Sequence, residues 1–295
     1  MTVMRILGDW GTTRLRLFRQ SAQGAIERIE GPGIGTLDVP PARALLDTLV
    51  PWRSDGQAMC VTLCGMAGAR GGLIEAVYVD CPATPADWNA RHTRTVIDGI
   101  DIAVMPGLRH RDERGVPDVM RGEETQIFGA LALDPSLGEG EHVFLLPGTH
   151  SKWAAVRDGR VQAFRTFPIG EIYALLTERS TIGTGAPGHE GSFAEGFARG
   201  MERSQEPLTA ALFEARAARL LDDRSLDWSR GYLSGLLIGQ EVRAQATTGA
   251  GVILVGDPAL CAHYERALDG IGCDHRRMDG DAAVLAGLRS AQGDM

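Results

Sequence analysis

The sequence predicts an α/β protein built from two similar lobes, because one strand pattern occurs twice. Three short strands open the chain over Met4–Gly8, around Leu15 and Leu17, and over Ala25–Glu30, with Gln23-Gly24 as the second turn. The same order returns over His142–Leu146, Lys152–Val156 and Val161–Thr166, where Asp158-Gly159 signals a hairpin. In both sets the first turn is short and rich in Gly and Thr. Strands followed by helices in each half indicate a duplicated α/β unit.

Apolar periodicity predicts the other elements. Further strands are expected over Met59–Cys64, Ile102–Met105 and Val252–Val255. Helices are expected over Pro41–Trp52, Glu123–Leu133, Ile169–Glu178, Phe193–Arg203, Pro207–Leu221, Trp228–Thr247, Pro258–Leu268 and Asp281–Ser290. The polar stretch Arg109–Pro117 is the best candidate for a lobe boundary. We therefore predict an N-terminal lobe over residues 1–118 and a C-terminal lobe over 119–295, with a closing helix over about 281–291 that can return to the first lobe.

Charge and cysteine content exclude several classes of partner. The formal net charge is −8 and the basic residues are scattered, so neither nucleic acid nor an anionic membrane surface is an expected partner. The five cysteines form no metal-ligand spacing and are expected to be reduced thiols. No secretory segment opens the sequence and no apolar run approaches the roughly 20 residues of a membrane span. We expect a cytoplasmic protein without a membrane partner.

The first Gly/Thr turn has the residues of a phosphate and metal site. Asp9 ends an apolar strand and is followed by Gly11, Thr12 and Thr13. A carboxylate there can anchor Mg²⁺, which needs few protein ligands, and the turn offers backbone N–H donors to phosphate oxygens. The alternative is an ordinary tight hairpin.

The second Gly/Thr turn repeats this chemistry. It contains Gly148, Thr149, His150 and Ser151, followed by Lys152. The lysine can act as a point charge on phosphate, whereas His150 either polarises a phosphate oxygen or caps the turn. Either turn alone is ambiguous, but two such turns, each opening a meander, favour a nucleotide site.

Six blocks of sequence resemble one enzyme family. They are DWGTTRLR from Asp9, CGMAGAR from Cys64, VMRGEETQIFGAL from Val119, LPGTHSKW from Leu146, FRTFPIGE from Phe164 and LSGLLIGQEV from Leu233. Together they resemble the 2-dehydro-3-deoxygalactonokinases of the actin/hexokinase/heat-shock ATPase superfamily. The resemblance implies two ribonuclease-H-like lobes that close on a cleft, the actin-like ATPase fold. It also implies phosphoryl transfer from ATP, with Mg²⁺, to the 6-hydroxyl of 2-dehydro-3-deoxy-D-galactonate.

A kinase of this kind needs a carboxylate to accept the proton of the attacking hydroxyl. In hexokinase-like relatives an Asp-Thr pair opens the connecting helix, and Glu124-Thr125 falls in register with that pair. We therefore expect Glu124 to be the base, with Glu123 as the second candidate. The alternative is that these glutamates only stabilise the helix N-terminus electrostatically.

A sugar acid also needs cations and closely approaching backbone. The candidates for the substrate site are Arg14, Arg70 and Arg165, the loop glycines Gly33 and Gly35, and Met66. The resemblance further implies an adenosine motif at Gly256 and Asp257, where a buried strand meets a helix, although Asp257 departs from the usual small residue.

Two other functions stay open at this point. A phosphohydrolase of the same superfamily would use the same turns with water as the nucleophile, and a nucleotide-dependent regulator would use them without catalysis. The sequence distinguishes neither the galacto from the gluco epimer of the substrate nor a monomer from a homodimer.

Overall fold

A computed structural model describes residues 3–20, 25–54, 57–186, 188–246 and 251–293. Its strands are β1 (Met4–Trp10), β2 (Arg14–Gln20), β3 (Ile26–Pro32), β4 (Met59–Gly65), β5 (Tyr78–Asp80), β6 (Thr93–Ile97), β7 (Ile100–Val104), β8 (Gly107–Arg111), β9 (Pro117–Met120), β10 (Glu141–Leu146), β11 (Ser151–Arg157), β12 (Arg160–Phe167), β13 (Val252–Gly256) and β14 (His275–Asp279). Its helices are α1 (Pro41–Leu49), α2 (Pro85–Asn89), α3 (Glu123–Leu133), α4 (Ile169–Arg179), α5 (Phe193–Arg203), α6 (Leu208–Ala211), α7 (Glu214–Leu221), α8 (Leu226–Gln245), α9 (Pro258–Asp269) and α10 (Gly280–Gly293).

The chain folds into two compact units. The first comprises Met1–Glu141, Ala154–Phe164 and Gly280–Met295, and the second comprises His142–Trp153 and Arg165–Asp279. The predicted division at residue 118 and the return of the closing helix remain predictions. The segment Arg109–Pro117, expected to separate the lobes, includes residues of the hairpin strands β8 and β9.

The strand orders of the two large sheets show the predicted duplication. One sheet has the order β3-β2-β1-β4-β7-β6, and the other has the order β12-β11-β10-β13-β14. In both, the first strand of the meander lies between its own hairpin partner and a later strand that runs parallel to it. The prediction of a duplicated α/β unit is therefore confirmed. A third sheet, β5-β8-β9, was not predicted.

Each unit has its own apolar core. In the first unit one face of the sheet packs under α1, with Ile6, Trp10 and Leu45 fully buried. In the second unit α8 and α9 pack with β13, around Leu254 and Tyr264. Burial of such side chains is the main driving force of folding and holds the turns between the strands in place.

Helix α3, which begins at the predicted catalytic glutamates, is fixed by close packing against α10. The two helices meet at small residues, with Gly129 against the Ala283 carbonyl and Gly287 against the Thr125 carbonyl. Helix α3 extends over Glu123–Leu133, the bounds that the sequence predicted. The N-terminus of α3 thus has a defined place in the first unit.

Several local expectations were wrong for identifiable reasons. The helix expected over Pro207–Leu221 is broken into α6 and α7, and the strand β14 was missed because most of its residues are polar. Strands β6, β8 and β9 also lack a run of apolar residues. The predicted turn Gln23-Gly24 and the helix end at Thr247 lie outside the described residues. Within the described ranges, none of the helices is both long enough and apolar enough to cross a bilayer.

Candidate active site

Sheet register in the first unit places Asp9 between two functional side chains. Strand β1 runs antiparallel to β2 and parallel to β4, so that Asp9 lies opposite Arg16 on one side and Cys64 on the other. Opposite residues on neighbouring strands have side chains on the same face of the sheet. Arg16 forms an ion pair with Asp9 Oδ2, and the Cys64 thiol lies 3.7 Å from Oδ1. Arg16 also pairs with Asp281 at the start of α10.

The first Gly/Thr turn packs against the Gly33–Gly35 loop. The Gly35 N–H donates to the Thr12 carbonyl at 2.8 Å, and the Ile34 N–H donates to the Gly11 carbonyl at 3.1 Å. A Cβ atom at Gly33 would lie only 2.3 Å from the Arg14 nitrogen, so no larger residue fits there without a shift. The structure therefore brings together the predicted turn and the predicted glycine loop.

The side chains of the first turn face solvent. Thr12, Thr13 and Arg14 are exposed, and Arg14 lies 4.0 Å from Glu30 in a weak surface ion pair. Met66 is half-buried in the short helical turn after β4, and Arg70 is exposed at the end of that turn. Arg70 forms no ion pair with a described residue.

Glu124 is the most unusual carboxyl group of the first unit. Its side chain is 0% exposed, and both of its oxygens accept a hydrogen bond from the Gly122 N–H at 2.8 Å. Burial, followed by the charge of Glu123, raises the pKa of Glu124 to about 8, although hydrogen bonds to backbone and the charge of Arg121 act in the opposite direction. A carboxyl group with a pKa near neutrality is suited to proton transfer.

Asp9 and Glu124 meet around the thiol of Cys64. Burial, then the charges of Asp9 and Glu124, raises the pKa of Cys64 well above its usual value, so the thiol stays neutral. A Cβ atom at Gly65 would lie 3.0 Å from Asp9 Oδ1, and one at Gly122 would lie 3.3 Å from the Gly65 Cα. Two glycines thus bring the turn after β4 close to both carboxylates.

The second Gly/Thr turn, in the second unit, is held from two directions. The Glu171 N–H at the start of α4 donates to the Thr149 carbonyl at 3.1 Å, and the Glu171 side chain pairs with His150 at 2.7 Å. Ser151 is fully buried, and its hydroxyl donates to Glu241. Lys152 is 4% exposed, and its Nζ donates to the His150 carbonyl at 3.1 Å.

A cavity of about 240 Å³ lies beside this turn, within the second unit. Gly148 belongs to both the turn and the cavity wall. The rest of the wall is largely apolar and includes Ile169, Tyr173, Phe193, Leu237, Ile238 and Leu260. His263 also lines it, and the His263 Nδ1 is buried without a hydrogen-bond partner in the described part of the chain. An apolar cavity with a few polar groups is typical of a small-molecule site.

The strand-to-helix junction after β13 is ordered by its own aspartate. Asp257 is exposed, and its side chain accepts hydrogen bonds from the N–H groups of Ala259 at 2.9 Å and Leu260 at 3.1 Å, which caps α9. Gly256 is buried and faces Pro147, the residue before the second turn. Arg165 is exposed in the second unit, with its guanidinium 5.5 Å from the Phe167 ring.

The sequence analysis assigned no role to several residues near Asp9 and near the second Gly/Thr turn. Arg16, Cys64 and Asp281 surround Asp9 only because of strand register and helix packing, which cannot be inferred from spacing in the chain. Glu241 had a signal, since it is an acidic residue one helical turn after Leu237, within the apolar stretch of α8. The Arg121 guanidinium is stacked over Tyr78, and its Nε and Nη1 lack a hydrogen-bond partner in the described part of the chain.

A divalent cation fits the geometry at Asp9. Oδ2 is paired with Arg16, whereas among the described residues Oδ1 has only the weak contact with the Cys64 thiol and can accept a cation or one of its waters. The described residues contain no group of three or more His, Cys, Asp or Glu side chains that could hold a metal. Mg²⁺ is commonly held by one or two carboxylates together with water and substrate phosphates, so Asp9 is compatible with such a site.

Comparison with known proteins gives consistent results over the full length. Residues 9–291 match the family model described as 2-keto-3-deoxy-galactonokinase. A Rhizobium meliloti (strain 1021) protein named a "probable 2-dehydro-3-deoxygalactonokinase" is 40% identical over 294 residues, covering 96% of this chain and 94% of the relative. The 2-dehydro-3-deoxygalactonokinase of Escherichia coli (strain K12) is 36% identical over 299 residues, covering 98% of each chain.

A crystal structure from Sinorhizobium meliloti, assigned to the same activity, aligns with a TM-score of 0.86 at 35% identity. The alignment covers 99% of this chain and 96% of that chain. Together with the two sheets of matching strand order, this confirms the actin-like ATPase fold that the resemblance implied.

Proposed function

Because this chain belongs to the 2-keto-3-deoxy-galactonokinase family and is a sugar-acid kinase, we propose that it transfers the γ-phosphoryl group of ATP to the 6-hydroxyl of 2-dehydro-3-deoxy-D-galactonate. The observation that carries the choice of substrate is the match to the family model over residues 9–291. The residue roles proposed below rest on the geometry around Asp9 and Glu124 and on the geometry around the second Gly/Thr turn. Release of ADP that depends on this sugar acid tests the proposal.

The second unit supplies the nucleotide site in this proposal. The apolar cavity next to Gly148 suits a flat aromatic base, and the His263 ring in its wall would lie beside that base. The turn over Gly148, Thr149 and His150 begins at the cavity wall, so the phosphates of a nucleotide bound there would follow the turn. Gly256 and Asp257 lie at the neighbouring end of β13.

Lys152 and Ser151 have different roles in this nucleotide site. Lys152 carries the charge that would face phosphate, and its Nζ is already oriented by the His150 carbonyl within the turn. The Ser151 hydroxyl is committed to Glu241, and therefore Ser151 would shape the turn rather than bind phosphate through its side chain.

The first unit supplies the metal ligand and the base. Asp9 would hold Mg²⁺, assisted by the backbone of Gly11, Thr12 and Thr13, and the cation when bound neutralises charge on the β- and γ-phosphates. Arg16 would orient the Asp9 side chain through their ion pair. Glu124 would accept the proton of the attacking hydroxyl at a carboxyl oxygen, a role for which its raised pKa is suited.

The sugar acid itself needs a partner for its carboxylate. Arg70 is the best candidate because it is exposed, lies on the loop after β4 and has no ion-pair partner among the described residues. The planar guanidinium can bind a carboxylate with two parallel hydrogen bonds. Gly33, Gly35 and Met66 would line the sugar, and Arg14 and Arg165 are the other cations proposed for the substrate.

Replacing Arg70 by Ala is expected to raise KM for the sugar acid by about 10- to 100-fold, with KM for ATP nearly unchanged. The loss of a charge-assisted hydrogen bond weakens binding by about this factor. A group that binds the carboxylate acts similarly in the ground and transition states, so its loss should appear in KM. Steady-state kinetics with each substrate varied in turn measures both constants. Arg114→Ala, another exposed arginine of the same unit, is the matched control. A change confined to KM for ATP would move Arg70 to the nucleotide site.

The pH dependence of kcat/KM should report the ionisation of Glu124. As a base the carboxyl group must be charged, and its pKa in the free chain is raised to about 8. We therefore expect kcat/KM for the sugar acid to rise with pH and level off above about 8. The residual kcat/KM of Glu124→Gln should not show this rise with pH. A profile that is flat from pH 6 to 9 in the wild type would exclude this role.

Protein stability should change with pH in the opposite sense. A carboxyl group whose pKa is raised on folding holds a proton that the unfolded chain releases, so its contribution to stability is complete below about pH 4.5 and is lost as pH rises through about 8. The free energy of unfolding of the wild type should therefore fall relative to that of Glu124→Gln across this range. Denaturant titrations of both proteins between pH 5 and 9 measure the difference.

A further inference from the structure

A buried carboxylate joins the cavity of the second unit to the second Gly/Thr turn. Glu241 lies on α8 and is 1% exposed. Its Oε1 accepts hydrogen bonds from the Ser151 hydroxyl at 2.5 Å and from the Trp153 indole N–H at 2.7 Å. Its Oε2 accepts a hydrogen bond from the Tyr264 hydroxyl at 2.7 Å. Three neutral donors from two other elements therefore converge on one side chain.

The donors connect two parts of the proposed nucleotide site. Tyr264 is on α9 and forms part of the cavity wall, whereas Ser151 is the last residue of the turn and the first residue of β11. Within this network Glu241 is thus the one side chain between Tyr264 and Ser151. Each of its contacts is buried, where a hydrogen bond is electrostatically stronger and an unmade one is costly.

The chemistry of Glu241 is not explained by packing alone. Burial raises the pKa of this carboxyl group, and the hydrogen bonds from Ser151, Tyr264 and Trp153 oppose that rise. Its neighbours on α8 face the same core with apolar side chains such as Ile238 and Val242. An apolar residue at this position could be buried without the desolvation cost of a carboxylate. The carboxyl oxygens of Glu241 are therefore expected to have a role as hydrogen-bond acceptors.

We propose that Glu241 is a positioning residue that fixes the second Gly/Thr turn relative to the base cavity, so that the nucleotide's base and its phosphates are recognised together. The proposal rests on the proposed role of this turn in holding the phosphates of ATP. Glu241 itself does not touch the nucleotide. It acts through Ser151 on the turn and through Tyr264 on the cavity.

A ligand that has no base gives the most distinctive test of this link. Tyr264→Phe keeps the aromatic ring in the cavity wall but removes the hydroxyl that donates to Glu241. Tripolyphosphate has no base that could enter the cavity and would bind at the turn alone. If Glu241 links the cavity to the turn, Tyr264→Phe should nevertheless weaken its binding. We expect the inhibition constant of tripolyphosphate against ATP to rise roughly two- to tenfold, the size of one net hydrogen bond.

Further variants test the same link at Ser151, on the turn, and at Glu241 itself. Ser151→Ala should raise the Kd of ADP, measured by calorimetry, by a similar factor. Glu241→Gln should have a larger effect, about tenfold, because its amide group presents a donor where three donors converge. Glu241→Asp keeps the carboxyl group and should recover part of the affinity. In all three, KM for the sugar acid should change by less than about twofold.

Tyr232→Phe is the matched control. Its hydroxyl is also buried in the second unit, donates to the Ala211 carbonyl at 2.8 Å and lies 3.3 Å from Glu214 Oε2, and neither partner belongs to the turn or to the cavity wall. It should lower the melting temperature as Tyr264→Phe does, yet leave the binding of ADP and tripolyphosphate unchanged. The proposal is overturned if Tyr264→Phe and Ser151→Ala bind both ligands as the wild type does, or if Tyr264→Phe weakens ADP alone.

These measurements separate this inference from the proposed function. Binding of ADP and inhibition by tripolyphosphate depend on the nucleotide site and not on which sugar acid is the acceptor. Wild-type protein that binds ADP but does not phosphorylate 2-dehydro-3-deoxy-D-galactonate would contradict the substrate, and the inhibition constants could then be measured with whichever acceptor is active. Wild-type protein that binds neither ADP nor tripolyphosphate would contradict both proposals.

Discussion

Replacing Asp9 by Asn is expected to lower kcat by roughly 10³-fold or more while the chain stays folded. The amide keeps the size of the side chain but loses the charge that would hold Mg²⁺ beside the phosphates, and phosphoryl transfer is accelerated mainly by positioning and charge stabilisation. Steady-state kinetics with ATP and the sugar acid measures the loss. Binding of ADP by calorimetry with and without Mg²⁺ gives a second readout, because the variant should lose the dependence of affinity on the metal.

Asp281→Asn controls for the loss of the ion pair. Asp281 pairs with the same guanidinium, Arg16, and its removal therefore disturbs the same local network from the other side. Both variants should lose about 1 kcal/mol of stability or less, as expected for partly exposed pairs. Only Asp9→Asn should lose turnover. Near-normal kcat in Asp9→Asn with an unchanged melting temperature would remove Asp9 from the site.

Replacing Glu124 by Gln is expected to lower kcat by about 10²-fold or more, with KM for ATP nearly unchanged. The amide can still accept a hydrogen bond from the Gly122 N–H, but it cannot take a proton from the attacking hydroxyl. Positioned bases contribute roughly 10²- to 10⁴-fold, and the lower end applies when a loose transition state needs little deprotonation early on. Kinetics beside a melting curve separates a catalytic loss from a loss of folding.

Glu123→Gln is the matched control at the same helix N-terminus. Glu123 is half-buried, and its carboxylate accepts a hydrogen bond from the Arg121 N–H at 3.1 Å. If these glutamates act only on the helix dipole, both variants should lose about 0.3–1 kcal/mol of stability and keep full activity. A fully active Glu124→Gln enzyme would refute the role of Glu124 as the base. A greater loss of kcat in Glu123→Gln would assign that role to Glu123.

Local sequence signals were sufficient for the elements with strong periodicity or turn chemistry. The bounds of α3 and α5 match the predicted ones, and Asp158-Gly159 turns the chain between β11 and β12 with both residues at positive φ. The repeated meander also predicted the duplicated strand order. These features depend on interactions between residues that are near one another in the chain, and therefore a sequence pattern can report them.

The composition of the site depends on contacts between distant residues, which a single sequence does not show. The pairing of Asp9 with Arg16 follows from the register of β1 and β2, and its proximity to Cys64 follows from a crossover to β4. The raised pKa of Glu124 comes from burial, which the acidic pattern at a helix N-terminus would not suggest. The network of Glu241 likewise joins α8, α9 and β11. Tertiary packing decided each of these.

Acceptor-dependent release of ADP is the most direct test of whether this chain is a 2-dehydro-3-deoxy-D-galactonate kinase. The purified protein would be assayed with Mg-ATP and a panel of 2-dehydro-3-deoxy sugar acids that includes the gluco epimer, and the position of the phosphate in the product would be read by NMR. We expect one ADP for each 6-phosphorylated 2-dehydro-3-deoxy-D-galactonate, with little ADP formed when no sugar acid is present. If ADP and inorganic phosphate are released as fast without any acceptor as with one, the proposed kinase activity is contradicted and the protein acts as a phosphohydrolase.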